Sequence, residues 1–586
     1  MRGEFMNLRY HVAEATPSGR DETIDAIPSL RSVRNWARLT NFGPTPVEGG
    51  FSSDEAAARS YLETIMQHDN RPVMRSLSSP MSPEVVPNLK IVSVQDIPQT
   101  KTRLVRFEQT QSRIPIFGSM AVVELDRNRK LVSVDAELAK VSSISPLTNI
   151  SATDAVKAIA TLAQMDPAQL QHIDAPELTY FFLDTPPASW HLAYFVKNVP
   201  AVPRSVADEM ASPAWRGHGL GKSPRTLHPI MNYLVDAHSG DVIFYYPAAP
   251  TASASPGPQI PVRLRGNDED GVVQQFYGRQ NGNGFEMFDP FHSIQTYDLN
   301  RADIEGAVLP VNTVSSAVSD FHTSNTAAVT AHVYATAVNQ FYKAILSRDG
   351  IDDKGMTLVS VVNTTYAADE PPPEWHNAVW YDNRMWYGQA LESGRFRSYA
   401  RFLDIIAHEL THGVTEYTCG LVYEGQPGAL NESFSDIFGI FIKNWFDKKW
   451  DSQKDWSWEI GSGLGKNGLP LRDLSAPSRT GDPDHMNTFV QTRADYGGVH
   501  TNSNIHNKAA YNLITAKDAN SQYLFDPQEL AVLYYLCLSR LNSQANFTKV
   551  VNVLIDVANT YYAGDATERL TKTSAIRRAY AAVGIQ

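Results

Sequence analysis

The chain has 586 residues, of which 42% are hydrophobic and 19% are charged, and its formal net charge is -12. This length implies several domains, because single hydrophobic cores stop growing at roughly 250–300 residues. The negative charge argues against nucleic acid as a partner, since nucleic-acid-binding proteins present a basic face.

The N-terminus resembles neither a signal peptide nor a membrane anchor. The stretch MRGEFMNLRYHVAEATPSGRDET has no apolar run, and no 18-residue apolar segment occurs in the chain. Met6 is a candidate native start, which would make residues 1–5 a cloning remnant. We therefore expect no membrane span. The compartment has three alternatives, which are the cell interior, unconventional export, and ordinary secretion of a chain that has been trimmed.

The two cysteines, Cys419 and Cys537, are too few for a disulfide framework. A single bridge between them is one alternative. Two buried free thiols are the favoured interpretation, because free cysteine behaves as a small apolar residue.

The first 246 residues predict a small α+β region. A helix at residues 52–67 precedes alternating strands over 104–139, with turns at 112–113 and 127–128. A second helix and further strands follow, at residues 152–164, 178–182, 190–197 and 231–246.

A linker separates this region from the rest of the chain. Residues 247–261, PAAPTASASPGPQIP, consist largely of Pro, Ala, Ser and Gly without apolar periodicity. Such a composition predicts an exposed segment that proteases can cut.

Beyond the linker the pattern changes from strands to helices. Residues 262–400 are strand-rich apart from a helix at 326–347, and the chain is mostly helical from residue 401. The predicted helices of this last part are 403–417, 429–446, 504–516, 527–541, 547–561 and 571–583.

The segment AHELTH, residues 407–412, places two histidines one helical turn apart. His408 and His412 can therefore direct ring nitrogens at one metal ion, about 2.0–2.1 Å away for zinc. Glu409 lies roughly 100° around the helix, beside the metal, where it can act as a base. The alternative for this motif alone is a surface helix with two ordinary histidines.

A catalytic zinc needs a third protein ligand, and GALNESFSDIFGIF offers one. Glu432 is the candidate ligand on a second predicted helix. Asp436 follows one turn later, where it can accept the free N–H of a zinc-bound histidine.

The segment HELTHGVTEYTCGLVYEGQPGALNESFSDIFG resembles the active-site segment of the thermolysin (bacillolysin) family of zinc endopeptidases. Nineteen residues separate His412 from Glu432, the spacing of that family. The resemblance extends to HNAVW, LRDLSAPSRTGDPDH, YGGVHTNSNIHNKAAY and the C-terminal helices, and it covers essentially all of residues 262–586. It implies an α+β fold with a β-rich N-terminal lobe, a helical C-terminal lobe and zinc at the helix between them.

The resemblance also implies a role for each matching residue. His408, His412 and Glu432 would hold one zinc ion, and Glu409 would be the general base for a water that the metal activates. Tyr423 and His500 would stabilise the oxyanion. The implied supporting residues are Asp436, Asn431 and Asp495. The implied substrate-binding residues are Asn377, Ala378 and Arg472.

The implied pocket for the residue after the scissile bond is apolar. Ile405 and Leu471 would line it, with Ile460 nearby. We therefore expect cleavage on the N-terminal side of bulky apolar residues, as a preference and not a strict rule.

The sequence departs from the family at its paired calcium site. Asp404 and Glu459 match two of the acidic positions, but Lys443, Ser457 and Ser462 replace three others. Calcium needs six to eight oxygen ligands. We therefore expect the paired site to be lost, with Lys443 neutralising Asp404 and Glu459 directly.

The N-terminal region resembles the pro-region of fungalysin/thermolysin-type precursors, followed by a PepSY-like module. The implied divisions are a pro-segment at 1–95, a propeptide module at 96–145, a PepSY-like module at 150–246, a processing region at 247–261, and catalytic lobes at 262–418 and 419–586. The pro-region would assist folding and inhibit the cleft. A permanent N-terminal domain is the alternative.

The resulting hypothesis is a zinc endopeptidase made as a zymogen, monomeric and secreted by family resemblance, acting on proteins and peptides. A zinc aminopeptidase is disfavoured by the spacing of Glu432 and by Asn377 and Arg472. A zinc-stabilised binding or inhibitor protein is disfavoured by the presence of Glu409, Tyr423 and His500.

Overall fold

The structure is a computed structural model that describes most of the chain. For residues 5–11 it describes the backbone alone. The described residues are 5–11, 50–68, 88–141, 144–170, 173–184, 187–203, 230–248, 260–282, 284–304, 307, 313–321, 325–367, 369–381 and 384–586. Most of the predicted linker, residues 249–259, lies outside them.

One helix packed on antiparallel strands forms the first part of the N-terminal region. Its elements are β1 (Phe5–His11), α1 (Asp54–His68), β2 (Asn88–Ile97), β3 (Thr102–Gln111), β4 (Ile114–Asp126) and β5 (Leu131–Ala139). Leu62 and Ile65 of α1 are buried against Phe107, Val123 and other inward-facing strand residues. Strand β2, which was not predicted, pairs with β3, so this packed unit extends across the division expected at residue 96.

The second part of the N-terminal region continues the same sheet. Its elements are α2 (Ala152–Ala163), β6 (Glu177–Leu183), β7 (Ser189–Val199), β8 (Met231–Asp236) and β9 (Val242–Pro247). Strand β4 pairs with β3 and β5 and also, where Ile116 lies opposite Tyr180, with β6, which joins the two parts. The strand region predicted at 231–246 is a hairpin of β8 and β9, divided by a tight turn with Gly240 at φ 85°.

After the predicted linker the chain forms a β-rich lobe around one long helix. The elements are β10 (Pro261–Asn267), β11 (Val273–Asn281), β12 (Gly284–Glu286), β13 (Phe288–Asp289), β14 (Ile294–Asp298), β15 (Ser315–Ser316), α3 (Thr326–Leu346), β16 (Leu358–Val362), β17 (Ala378–Tyr381), β18 (Arg384–Tyr387), β19 (Gln389–Glu392) and β20 (Arg395–Ser398). Five strands form one sheet in the order β13-β14-β16-β18-β17. Strand β17 therefore lies at an edge of this sheet.

A helical lobe completes the chain. It follows α4 (Leu403–Glu416) and contains α5 (Gly425–Phe446), β21 (Glu459–Ile460), β22 (Arg472–Asp473), α6 (Asp495–Ile514), α7 (Pro527–Leu538), α8 (Phe547–Tyr561) and α9 (Ala566–Ala581). Helix α6 begins nine residues before its predicted start. Its first turn is irregular, with Tyr496 at φ 48° followed by two glycines that also have positive φ.

The two lobes share one apolar core, in which α4 and α5 are almost entirely buried. Both cysteines are buried there as free thiols, which confirms that prediction. Strands of the N-terminal region contribute Ile97, Leu104 and Val122 to the same core. Within the described residues, no helix combines the length and the apolar character that crossing a membrane requires.

Candidate active site

Helix α4 carries the two histidines of the HELTH segment on one face, as their spacing predicts. The Nε2 atoms of His408 and His412 lie 3.0 Å apart. His408 is buried and His412 half-buried, so the pair forms the floor of a recess and not an exposed helix surface.

Helix α5 brings Glu432 to the same point. Its Oε2 lies 3.4 Å from Nε2 of His408, and its Oε1 lies 3.4 Å from Nε2 of His412. Ligands about 2.0–2.1 Å from a tetrahedral zinc ion are about 3.3 Å from each other, so this donor set fits one such ion. The buried Oε2 has no hydrogen-bond partner in the described part of the chain, as expected for an atom that coordinates a metal.

Hydrogen bonds on the far side of each imidazole fix its orientation. Nδ1 of His408 lies 2.8 Å from Oδ1 of Asp436, and Nδ1 of His412 lies 2.8 Å from Oδ1 of Asn431. Because these oxygens only accept, each Nδ1 carries the proton, and the lone pair of each Nε2 is available to bind a metal ion.

Asp436 is in turn held by Arg472, whose Nε and one terminal nitrogen each donate to a different carboxylate oxygen at 2.7 Å. Burial raises the pKa of Asp436, but Arg472 and His408 outweigh it and lower the pKa to about 2. Asn507 adds a hydrogen bond of 2.8 Å to the same carboxylate. Sequence reasoning missed Asn507, although it lies within the matching segment YGGVHTNSNIHNKAAY.

Glu409 lies beside the histidines and faces strand β17. Its side chain is half-buried, and its Oε2 accepts a hydrogen bond of 3.3 Å from the backbone N–H of Trp380. A carboxylate in this position is next to the zinc ligands without being one of them.

Tyr423 and His500 lie on the other side of Glu432. The Tyr423 hydroxyl donates to Oε1 of Glu432 and lies 3.3 Å from Nε2 of His500. Asp495 accepts from both the ring Nδ1 and the backbone N–H of His500, at 2.6 and 2.9 Å. Burial lowers the pKa of His500, but the charges of Asp495 and Glu432 outweigh it and raise the pKa to about 9, so His500 can donate at neutral pH.

Strand β17 forms the side of the cleft opposite the helical lobe. Asn377 precedes it and is buried, with its side-chain oxygen bonded to the N–H of Ala378. Ala378 pairs with Tyr387 on β18, which leaves the other edge of β17 outside the described strand pairs.

The two residues predicted to line the substrate pocket belong to one apolar cluster. Ile405 is buried on α4, one turn before His408, and Leu471 packs against the cluster from the hairpin of β21 and β22. Leu471 contacts the backbone at Gly461, where an added Cβ would lie 2.6 Å from its Cδ1.

Cationic side chains neutralise the acidic residues in the region that matches the family's paired calcium site. Nζ of Lys443 lies 3.3 Å from Oδ2 of buried Asp404, as predicted. The predicted pairing of Lys443 with Glu459 is wrong, because Glu459 pairs with Arg479 at 3.1 Å. Arg479 is closer to Glu459 than Lys443 is, because Arg479 also binds Asp473, which pairs with Glu459 across the hairpin of β21 and β22.

Ser457 and Ser462 occupy separate places in this region. The hydroxyl of Ser462 donates to Glu459 at 2.7 Å, while the backbone of Ser457 exchanges hydrogen bonds with Asn444. Salt bridges and hydrogen bonds therefore connect the residues at the positions that match the family's calcium site.

Comparison with known proteins gives the same result as the geometry. The family description "Thermolysin metallopeptidase, catalytic domain" matches residues 264–416, and "Thermolysin metallopeptidase, alpha-helical domain" matches residues 419–585, together more than half of the chain. The chain is 28% identical to Neutral protease B of Bacillus subtilis over 83% of both sequences. It is 35% identical to Neutral protease NprE of Bacillus pumilus over 50% of this chain and 87% of that protein.

A third relative is Extracellular elastase of Staphylococcus epidermidis, 43% identical over 32% of this chain and 35% of that protein. The chain spans 50–61% of the length of several bacillolysins that it also matches. The matched regions contain the His408, His412 and Glu432 cluster, which is the donor set of a zinc hydrolase. The chain therefore belongs to the thermolysin family of zinc metalloendopeptidases.

Proposed function

We propose that this chain is made as a zymogen and, once activated, hydrolyses peptide bonds on the N-terminal side of bulky apolar residues. The observation that carries the catalytic part is the convergence of His408, His412 and Glu432 with Glu409 beside an open strand edge. In this proposal the three ligands hold one zinc ion.

The chain's own residues supply positioning and proton transfer. Zinc, when bound, supplies a Lewis acid that lowers the pKa of a water and polarises the scissile carbonyl. Glu409 accepts the proton of the attacking water and passes it to the leaving amine. Tyr423 and His500 donate hydrogen bonds to the oxygen that becomes negative, an interaction that accounts for about 10²–10³ in rate per donor.

The open edge of β17 suits an extended peptide, which would add to the sheet as a further strand. Asn377 and Ala378 begin that strand and would bond the substrate backbone. Arg472 braces Asp436 and would also bond a substrate carbonyl. The apolar cluster of Ile405 and Leu471 would accept the side chain after the scissile bond, with a modest preference of about 1–3 kcal/mol per methylene.

The N-terminal region is proposed to be the inhibitory pro-region and a folding aid. Support comes from an apolar cluster in which Val202 and Tyr245 pack against Ala494 and Tyr496. Tyr496 follows Asp495, the partner of His500, and its ring lies 6.0 Å from that of Tyr423. The N-terminal region thus contacts the loop that bears part of the proposed oxyanion site.

Processing is proposed within residues 247–261, between the last strand of the N-terminal region and the first strand of the catalytic lobes. Secretion of a monomer is proposed as well, supported by the name of the related Extracellular elastase.

The test is hydrolysis of an internally quenched peptide with Leu after the scissile bond. Full-length chain is assayed before and after limited proteolysis in the 247–261 segment, with and without 1,10-phenanthroline. We expect activity to appear on cleavage and to disappear with the chelator. The matched control is Glu409→Gln, which keeps the zinc ligands and removes the base.

Activity of the uncut chain equal to that of the cut chain would contradict the zymogen part. Full activity of Glu409→Gln would contradict the assigned base. Inactivity of the wild-type chain under every condition, with zinc bound, would favour a binding protein instead.

A further inference from the structure

The N-terminal region also contacts the enzyme far from the cleft, through the turn between α7 and α8. Here one terminal nitrogen of Arg540 donates to Oε1 of Glu124 on β4 at 2.7 Å, and both side chains are almost fully buried. Arg106 on β3 donates to the carbonyl of Ser539 at 2.5 Å. We call this contact, formed by Arg106 and Glu124 with Ser539 and Arg540, the anchor.

The anchor has an excess of buried positive charge. Glu124 is shared by Arg540 and by the hydroxyls of Thr102 and Ser133, so its charge is already fully engaged. Arg106 has only neutral acceptors among the described residues, namely Ser93, Gln95 and the Ser539 carbonyl.

A third buried guanidinium lies close by. Arg348 is 1% exposed and bonds the Tyr535 hydroxyl and the Ile351 carbonyl, which are also neutral. Burial and the positive charges of Arg540 and Arg348 lower the pKa of Arg106 to about 10. Of these three buried arginines only Arg540 therefore pairs with a carboxylate, and a buried cation without an ion pair weakens the packing that contains it.

The rim of the anchor is polar and contains two carboxylates and one lysine. Lys549 pairs with Asp135, and Asn542 donates to Glu137 at 2.5 Å. These residues, with Arg540, also line a cavity of about 10 Å³, room for roughly one water. The surplus positive charge of the anchor thus lies on its buried side, and the rim has one carboxylate more than it has cations.

We propose that the anchor holds the N-terminal region on the enzyme after the linker is cut, and that Arg106 is a built-in release element that keeps this contact reversible. Glu124 keeps the N-terminal region bound to the enzyme. The charge of Arg106, which has no ion pair among the described residues, favours dissociation of that region. The proposal rests on the zymogen function above. It adds that the rate at which the N-terminal region leaves the cut enzyme depends on Arg106.

The experiment uses full-length chain carrying Glu409→Gln, so that the protein cannot cut itself. A recognition sequence for a site-specific protease is placed within residues 249–259, the chain is cut, and dissociation of the N-terminal part from the immobilised catalytic part is followed over time. The variants are Arg106→Gln, which removes the charge and keeps a hydrogen-bond donor, Arg106→Lys, which keeps the charge, and Glu124→Gln.

We expect Arg106→Gln to dissociate about tenfold more slowly than the parent and Arg106→Lys to dissociate at a similar rate. Glu124→Gln should dissociate about tenfold faster or more, because it leaves Arg540 buried without an anion. If Glu124→Gln does not fold, Asp135→Asn tests the same contact from its rim. Lys157→Gln, on the exposed face of α2, is the control for loss of a positive charge elsewhere.

Dissociation of Arg106→Gln as fast as the parent, or faster, would overturn the release element. Equal rates for Glu124→Gln and the parent would overturn the anchor. This readout needs no catalysis, so it separates the inference from the proposed function. An inactive wild-type enzyme with the expected dissociation rates would reject the function and leave the anchor standing.

Discussion

Tyr423 connects a zinc ligand to the proposed oxyanion site, since its hydroxyl contacts both Glu432 and His500. Replacing it with phenylalanine keeps the ring and removes only the donor. We expect Tyr423→Phe to lower kcat by about 10²–10³ with little change in KM, because the donor acts mainly on the transition state. Steady-state kinetics on the cut enzyme would measure this.

The control is Tyr511→Phe, which removes a hydroxyl from a tyrosine that packs on Trp458, in the helical lobe. Zinc content should be unchanged in both variants. A rise in KM with unchanged kcat for Tyr423→Phe would mean that the hydroxyl binds the ground state instead.

Asp436 affects zinc indirectly, through its bond to His408. We expect Asp436→Asn to weaken zinc binding by about 10–100-fold, because the histidine loses the carboxylate that orients it and makes it a better donor. Competition with a chromophoric chelator measures this affinity. Exposed Asp451→Asn should bind zinc like the wild type, and unchanged affinity in Asp436→Asn would reject the orienting role.

Glu416, at the end of α4, is half-buried, and its Oε2 is buried without a hydrogen-bond partner among the described residues. Burial raises its pKa from 4.5 to about 9. The folded state therefore holds the proton more tightly than the unfolded state, and this group lowers stability progressively as pH rises from about 4.5 to about 9.

We therefore expect Glu416→Gln to stabilise the protein at pH 8 and to have little effect near pH 4.5. Chemical unfolding at both pH values would show it, with Glu63→Gln on the exposed side of α1 as the control. An equal effect at the two pH values would mean that ionisation of Glu416 is not the cause.

At the scale of elements, the pair Lys443–Asp404 joins α5 to α4, the two helices that carry all three proposed zinc ligands. Removal of the cation leaves Asp404 buried and without an ion pair. We expect Lys443→Gln to lower the free energy of unfolding by about 1–3 kcal/mol, measured with denaturant. The exposed Lys454→Gln should change it by less than about 0.5 kcal/mol.

The same salt bridge predicts that added calcium leaves the unfolding temperature of the wild-type protein nearly unchanged. Thermal unfolding at millimolar calcium, with metal analysis of the dialysed protein, tests this. Two calcium ions bound per chain would contradict the replacement of the paired site by salt bridges.

Apolar periodicity predicted most helices of the C-terminal lobe within a few residues, because their buried faces are continuous. It failed at the first turn of α6, where positive φ angles at Tyr496 and two glycines follow from tertiary contacts and not from local pattern. It also missed β2, whose outer face, with Val92 and Val94 exposed, does not show the usual burial of apolar side chains.

At the scale of the whole molecule, the convergence of the three proposed zinc ligands could be predicted because a shared metal ion requires a fixed spacing on two adjacent helices. The anchor could not be predicted in this way. Glu124 and Arg540 are 416 residues apart in the chain, and neither lies in a recognisable motif. Only the folded arrangement shows that this carboxylate pairs with Arg540 beside two further buried arginines, Arg106 and Arg348.

In the proposed zymogen, the two contacts of the N-terminal region would make inhibition depend on dilution. While the chain is intact, the segment between Pro247 and Pro261 keeps the inhibitor at an effective concentration of about millimolar, however dilute the protein. After cleavage the same contact becomes an encounter of two separate molecules, and its occupancy falls with total concentration. Cut enzyme should therefore gain specific activity as it is diluted, whereas uncut enzyme should not. Once its linker is cut, such an enzyme would remain inhibited where it is concentrated and become active as it spreads from its source.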